Sequence, residues 1–209
     1  MLQLKVALVV RPMRHPSQSK KQKARKLTVK KKSQLPRLAP ESYRGQSMVF
    51  WTYTIEDRRT GWLGDPFHQK FREILLHSAI RHRFVVPVYC LMPDHLHWLG
   101  MGVCHSSDQL LGSRFLRKHL ADTLAPAKWQ RQPHDHVLRL EEREKSAFAS
   151  IGFYILENPV RKGLVSDRNE WSYSGALIPG YPDLDWRKDD YWELFWKIYN
   201  REVSGEGVL

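Results

Sequence analysis

Two short stretches of this 209-residue chain bring together side chains that can do chemistry. The first is Met92-Pro93-Asp94-His95-Leu96-His97-Trp98-Leu99, two imidazoles flanking one large apolar residue. On a β-strand, residues two apart face the same side. Both rings therefore point one way from Cα atoms about 6.5–7 Å apart, close enough to share one ion, with Leu96 and Trp98 on the opposite side against helices. Taken alone, two ligands complete neither a structural nor a catalytic metal site, and the isolated pair reads first as hydrogen-bonded structural histidines. The second stretch is Tyr154-Ile155-Leu156-Glu157-Asn158-Pro159. Positions four apart stack on a helix face, so the Tyr154 hydroxyl and the Asn158 amide oxygen project together. Pro159 disfavours helical torsions at Asn158 and puts it at the helix's last residue. An amide oxygen suits a hard divalent ion such as Mg²⁺ or Mn²⁺, and a tyrosine beside it is a candidate nucleophile. A ring packed at a helix end, with an amide capping it, would have the same pattern.

The elements that must hold these groups follow from hydrophobic period. Met48–Thr54 is aromatic and β-branched, and predicts a strand. Asp65-Pro66 opens a helix with Phe67, Phe71, Ile74, Leu75 and Ala79 on one stripe. Phe84–Leu91 predicts a second strand, with Pro87 favouring an edge or bulge. Met92-Pro93-Asp94 is a turn, and His95–Met101 closes a hairpin. A second helix runs from Ser107-Asp108 to about Leu124, Ala125–Pro133 is a loop, and Asp135–Arg139 is a short strand. From Glu141 a third helix turns Phe148, Ile151 and Ile155 inward. The β-α-β-β-α-β-helix order predicts an α+β, ferredoxin-like antiparallel sheet with helices on one face. Near the end, Tyr191, Phe195 and Tyr199 at helical spacing predict an aromatic helix packed on the sheet. Three regions result: a basic arm over 1–45, a catalytic domain over 46–178, and a helical extension over 179–209.

The charge is unevenly placed. The chain has 34 Lys and Arg against 22 Asp and Glu, a net of +12, and a pI near 9.8. Residues 1–45 hold 13 of the basic side chains and one acid, Glu41, so the remainder is neutral. Lys20, Lys21, Lys23, Arg25, Lys26, Lys30, Lys31 and Lys32 lie among prolines with few large apolar residues. Such an arm is expected to be disordered and to bind phosphates without regard to base sequence; a solvated tail of no consequence is the alternative. Two cysteines without metal-ligand spacing point to a reducing cytoplasm, with nucleoid association if the source is bacterial. No apolar run approaches membrane-spanning length, so no membrane partner is expected.

The segment Tyr89–His97 resembles the His-hydrophobe-His motif of single-tyrosine HUH transposases, in particular the REP-associated tyrosine transposases. Trp129-Gln130, Asp135–Arg139 and Tyr154–Val165 are similar to later blocks of that subfamily, in the same order, and the likeness extends over roughly residues 47–178. The resemblance implies His95, His97 and Asn158 as ligands of Mg²⁺ or Mn²⁺, and Tyr154 as nucleophile. It further implies cleavage and rejoining of single-stranded or hairpin DNA through a 5′-phosphotyrosine, by a monomer or homodimer. Arg161 and Lys162, just beyond Asn158-Pro159, are candidate phosphate contacts, or solvated ends complementing the helix dipole. The chain departs from the motif at Asp94, where Asn is usual; the residue could add a carboxylate near the metal or cap the hairpin turn, and the turn-capping role is expected. His136 has no assigned role. Two other readings stay open: a domesticated module that binds hairpins without cutting, and a metal hydrolase that uses water.

Overall fold

The structure, a computed structural model, describes residues 37–205 and 207. The lysines and arginine named between Lys20 and Lys32 lie outside these residues. Five strands form one antiparallel sheet: β1 (Met48–Thr54), β2 (Phe84–Met92), β3 (His95–Gly102), β4 (His134–Val137) and β5 (Ser174–Leu177). Their order is β4-β1-β3-β2-β5, so the histidine strand β3 is central. The β2–β3 hairpin turns through Pro93 and Asp94, pairing Met92 with His95 and Cys90 with His97. Pro87 falls within a shift of register between Val85 and Val88, the irregularity a strand proline predicts.

Alternation along the strands divides the molecule into two cores. Trp51 and Tyr53 of β1, Tyr89 and Leu91 of β2, and Leu96 and Trp98 of β3 face α1 (Asp65–His82) and α2 (Gln109–His119). The indoles of Trp51 and Trp98 stack there at 5.4 Å. This is the ferredoxin-like layer. The stripe Phe67, Phe71, Ile74, Leu75 and Ala79 is buried as its spacing predicts. Asp108 caps α2 by accepting from the Leu111 amide, and the second helix breaks at Leu120 before a short α3 (Ala121–Leu124).

The other face is covered as well, so helices on one face describe only half of the arrangement. Val88, Cys90, Leu99 and Met101 pack against α4 (Lys145–Leu156) and α6 (Tyr191–Ser204), with Phe148, Ile155, Tyr191, Phe195 and Tyr199 as the principal side chains. The Tyr199 hydroxyl donates to the Gly102 carbonyl at 2.9 Å, and the Tyr191 hydroxyl donates to the Pro87 carbonyl. Residues 179–205 are thus part of the same body as the sheet. Gly152 lets α4 approach α6: a Cβ there would lie 2.4 Å from Cζ2 of Trp192.

The basic arm also changes its boundary. Residues 37–45, expected to be disordered, are folded onto the domain, with a 3-10 turn at Pro40–Tyr43 and Tyr43 fully buried. Arg37 and Tyr43 both reach the carboxylate of Asp135 on β4. A basic run with few large apolar residues hides such an anchor, because a single tyrosine supplies it. Among the described residues, no helix is long and apolar enough to cross a membrane.

Candidate functional site

His95 and His97 occupy the face of β3 that looks toward α4 and α6, as strand alternation requires. Both residues are buried, at 8% and 9% exposure, and their Nε2 atoms lie 3.1 Å apart. Each ring is held from behind. His95 Nδ1 is 2.6 Å from the Asp94 carboxylate, and His97 Nδ1 is 2.9 Å from the Thr52 hydroxyl. Thr52 is the residue of β1 directly opposite His97 in the ladder. A carboxylate can only accept, so His95 carries its proton on Nδ1 and presents an Nε2 lone pair. The Thr52 hydroxyl can accept from or donate to His97 Nδ1: where it accepts, two lone pairs converge on one point, and where it donates, His97 Nε2–H donates to His95 Nε2. Two outward-bonded imidazoles whose free nitrogens meet form the usual surroundings of a metal-binding pair. Donor chemistry therefore fits a divalent cation.

The electrostatics agree. Burial pushes His97 down to about 3, with the charges of His95 and Arg161 adding to the effect and His134 contributing less. The ring is consequently neutral, the form that ligates. Around Asp94, burial raises the carboxyl, but hydrogen bonds from Arg58 and His95 outweigh it and hold the group below its usual range. Asp94 is therefore ionised. Its expected role as a turn cap is incomplete: the carboxylate is the partner of His95 Nδ1 on one side and of Arg58 Nη1, at 2.7 Å, on the other.

The second group of residues sits where α4 ends. The helix stops at Leu156, and Asn158 opens a separate short helix, α5 (Asn158–Arg161), with Pro159 in its first turn. Asn158 is thus not the last residue of α4. Proline is well suited to a first helical turn, so the same residue that closes one helix starts the next. The Asn158 amide donates to the carbonyls of Tyr154 and Ile155, each at 3.1 Å. Those bonds turn its Oδ1 outward, where it accepts from Arg161 Nη2 at 2.9 Å. The Arg161 guanidinium also covers the Tyr154 ring, 3.8 Å from its centroid. Asn158 is buried at 7% exposure, whereas Tyr154 is 50% exposed.

Two constellations are therefore built, the histidine pair and the Tyr154–Asn158–Arg161 cluster, and the Arg161 charge disfavours a proton on His97. Lys162 is exposed at the end of α5. Among the described residues, no three His, Cys, Asp or Glu side chains converge as a ligand set; any third protein donor must be of another type, such as an amide. Thr52, Arg58 and His134 were not anticipated. His134 stands opposite Thr52 across the β1–β4 ladder, a neighbour that only long-range register reveals. His136, left without a role, pairs with Glu142 at 2.9 Å.

No protein-family model matches the chain. It is 26% identical over 143 residues to a Haemophilus influenzae protein named as a REP-associated tyrosine transposase, covering 61% of this chain and 78% of that one. Its fold is similar to that of a solved REP-associated tyrosine transposase bound to a REP hairpin, with a TM-score of 0.57 and 22% identity over 68% of this chain and 81% of the other. The chain is thus similar in sequence to one protein of that name and shares the fold of a solved one.

Proposed function

We propose that the chain is a transposase-like enzyme that cleaves and rejoins single-stranded DNA beside hairpin or palindromic repeats. The observation that carries this reading is the convergence of the His95 and His97 Nε2 atoms at 3.1 Å, on the sheet face covered by the helix that bears Tyr154. The named relative and the hairpin-bound structure support the substrate class.

The chemistry assigned to the chain is a transesterification. The Tyr154 oxygen attacks the scissile phosphorus, a tyrosyl–phosphate bond to the 5′ side forms, and the bond to the 3′ oxygen breaks. The proton released by the tyrosine is balanced by the one that the leaving 3′ hydroxyl acquires. Attack by a 3′ hydroxyl on the phosphotyrosine reverses the step, so joining needs no nucleotide cofactor. A phenol with an ordinary pKa near 10 is a weak nucleophile at neutral pH, and charge stabilisation at the phosphate has to supply much of the rate. His95, His97 and the Asn158 amide oxygen are the proposed ligands of a Mg²⁺ or Mn²⁺ ion, which when bound would polarise the phosphate. Arg161, beside the tyrosine, is suited to a phosphate oxygen, because its fork can exchange the Asn158 oxygen for one on DNA.

The test is covalent trapping. Incubated with Mn²⁺ and labelled hairpin DNA carrying a single-stranded flank, the full chain is expected to form an SDS-resistant adduct that Tyr154→Phe lacks. An equally abundant adduct from the variant would refute the nucleophile. Tight binding of hairpin without cleavage on any flank would favour a non-cleaving module. Turnover retained by Tyr154→Phe would favour hydrolysis by water.

A further inference from the structure

Asp94 departs from the asparagine expected at its position, and its surroundings explain what the change does. The carboxylate lies 2.6 Å from His95 Nδ1 on one side and 2.7 Å from Arg58 Nη1 on the other. Three features hold this chain of contacts in place. The Ile55 amide donates to the Asp94 carbonyl at 3.0 Å, and the Arg58 amide donates to the Ile55 carbonyl at 2.9 Å. Asp57 and Arg58 both adopt left-handed backbone angles, φ 56° and 51°. Non-glycine residues adopt that region at a cost, so the surrounding contacts must impose it. The turn thereby delivers Arg58 to Asp94, and Asp94 to the back of His95.

We infer that Asp94 is a positioning residue for the His95 site: its charge fixes His95 as the Nδ1–H tautomer and strengthens Nε2 as a donor toward a divalent cation, with Arg58 holding the carboxylate in place. The inference rests on the proposed metal-binding role of His95 and adds to it the group that makes His95 a good ligand. A carboxylate behind an imidazole increases electron density on the far nitrogen, which an amide oxygen does much less. Asp94→Asn keeps the shape and an acceptor oxygen and removes the charge, so it isolates that contribution. Arg58 is the weaker partner. Its side chain is 65% exposed against 24% for Asp94, and an ion pair so open to solvent contributes little.

Two measurements on the full chain test this. In the first, Mn²⁺ alone is titrated and free ion followed by electron paramagnetic resonance. Expected are loss of binding in His95→Ala, about tenfold weaker binding in Asp94→Asn, more in Asp94→Ala, and only about two- to threefold in Arg58→Ala. Binding by both Asp94 variants equal to the natural chain, with His95→Ala still deficient, would overturn the inference and leave the metal site standing. Binding by the natural chain no tighter than by His95→Ala would remove the metal site and the inference with it. In the second, ¹⁵N-histidine NMR of the metal-free chain is expected to show His95 protonated on Nδ1, shifting toward Nε2 in Asp94→Ala. A natural chain already protonated mainly on Nε2 would overturn the inference, whatever the variants do to folding.

Discussion

The Arg161 guanidinium lies face-on to the Tyr154 ring, 3.8 Å from its centroid, while one Nη donates to the Asn158 amide oxygen at 2.9 Å. One cation thus touches both the proposed nucleophile and a proposed ligand. At an exposed site the stacking contributes only about 0.5–1 kcal/mol, so its value lies in orientation. Arg161→Ala is expected to slow single-turnover adduct formation by about ten- to a hundredfold at saturating DNA, a loss of about 1.4–2.8 kcal/mol in the barrier. Arg161→Lys keeps the charge without the planar fork and should recover only part of it. A rate equal to that of the natural chain in both variants would show that the tyrosine is positioned by its helix alone.

Thr52 reaches His97 Nδ1 at 2.9 Å from the neighbouring strand. Thr52→Val preserves shape and removes the partner. It should cost about 1 kcal/mol in urea unfolding and weaken Mn²⁺ about tenfold, with Thr52→Ser restoring both. Unchanged Mn²⁺ affinity in the valine variant would mean that His97 needs no fixed tautomer.

The parts of the site legible in the sequence were those set by local period. His95 and His97 share a face because a strand alternates, and Tyr191, Phe195 and Tyr199 line a helix because it repeats every 3.6 residues; both patterns survive in the fold. What escaped was set by pairing between distant segments. Thr52 and His134 meet the histidine face only through the register of β1 with β3 and β4. The strand β5 consists of Ser174, Gly175, Ala176 and Leu177, without the β-branched residues that mark strands; Gly175 is required because a Cβ there would meet the Tyr89 hydroxyl oxygen at 2.4 Å. Asp94 reads from the sequence as a turn cap or as a carboxylate near the metal, and its contact to His95 Nδ1 emerges only from the fold.

His68 predicts an acid sensitivity on the face away from the site. Burial, reinforced by the nearby Arg72 charge, lowers it to about 4, and its Nε2 lies 2.9 Å from the Tyr89 hydroxyl. An unfolded histidine titrates near 6.5, so between about pH 6.5 and 4 the unfolded chain binds the extra proton. The contribution is whole above that window and is lost as pH falls through it. The full shift corresponds to roughly 3 kcal/mol, and solvent screening at this half-buried ring reduces the expected loss to about 1–2 kcal/mol. In urea titrations the stability difference between the natural chain and His68→Gln should shrink by that amount from pH 7.5 to 4; a constant difference would contradict the assignment.

Gly152 sets the distance between α4 and α6. Alanine would gain about 1 kcal/mol of helix propensity, but its Cβ would meet Cζ2 and Cη2 of Trp192 at 2.4 and 2.7 Å. The indole is a rigid neighbour, so overpacking at about 1–3 kcal/mol outweighs the gain. Gly152→Ala should lower thermal stability and slow adduct formation by displacing α4 with Tyr154. Trp192→Phe combined with it should be less destabilised than the sum of the two single changes; strict additivity would mean that the two residues do not meet.

Two truncations separate phosphate binding from folding at the start of the chain. Residues 1–36 contain eleven basic side chains and no acid, so their removal should weaken affinity for DNA at low salt and flatten its salt dependence. Thermal stability should stay within about 2 °C, and saturating DNA should restore adduct formation. Removing residues 1–45 instead deletes Tyr43, which is fully buried, and Arg37, 3.0 Å from Asp135. The Asp135 side chain is only 8% exposed. The truncation removes that buried ring and both contacts to the carboxylate, a loss of about 3–5 kcal/mol that lowers the melting temperature by about 10 °C in a domain of this size. If both truncations melted alike, the anchor at Tyr43 would contribute nothing to the fold. If the shorter truncation abolished cleavage at saturating DNA, the first 36 residues would belong to the catalytic machinery, and phosphate binding and strand transfer could not be divided at Arg37.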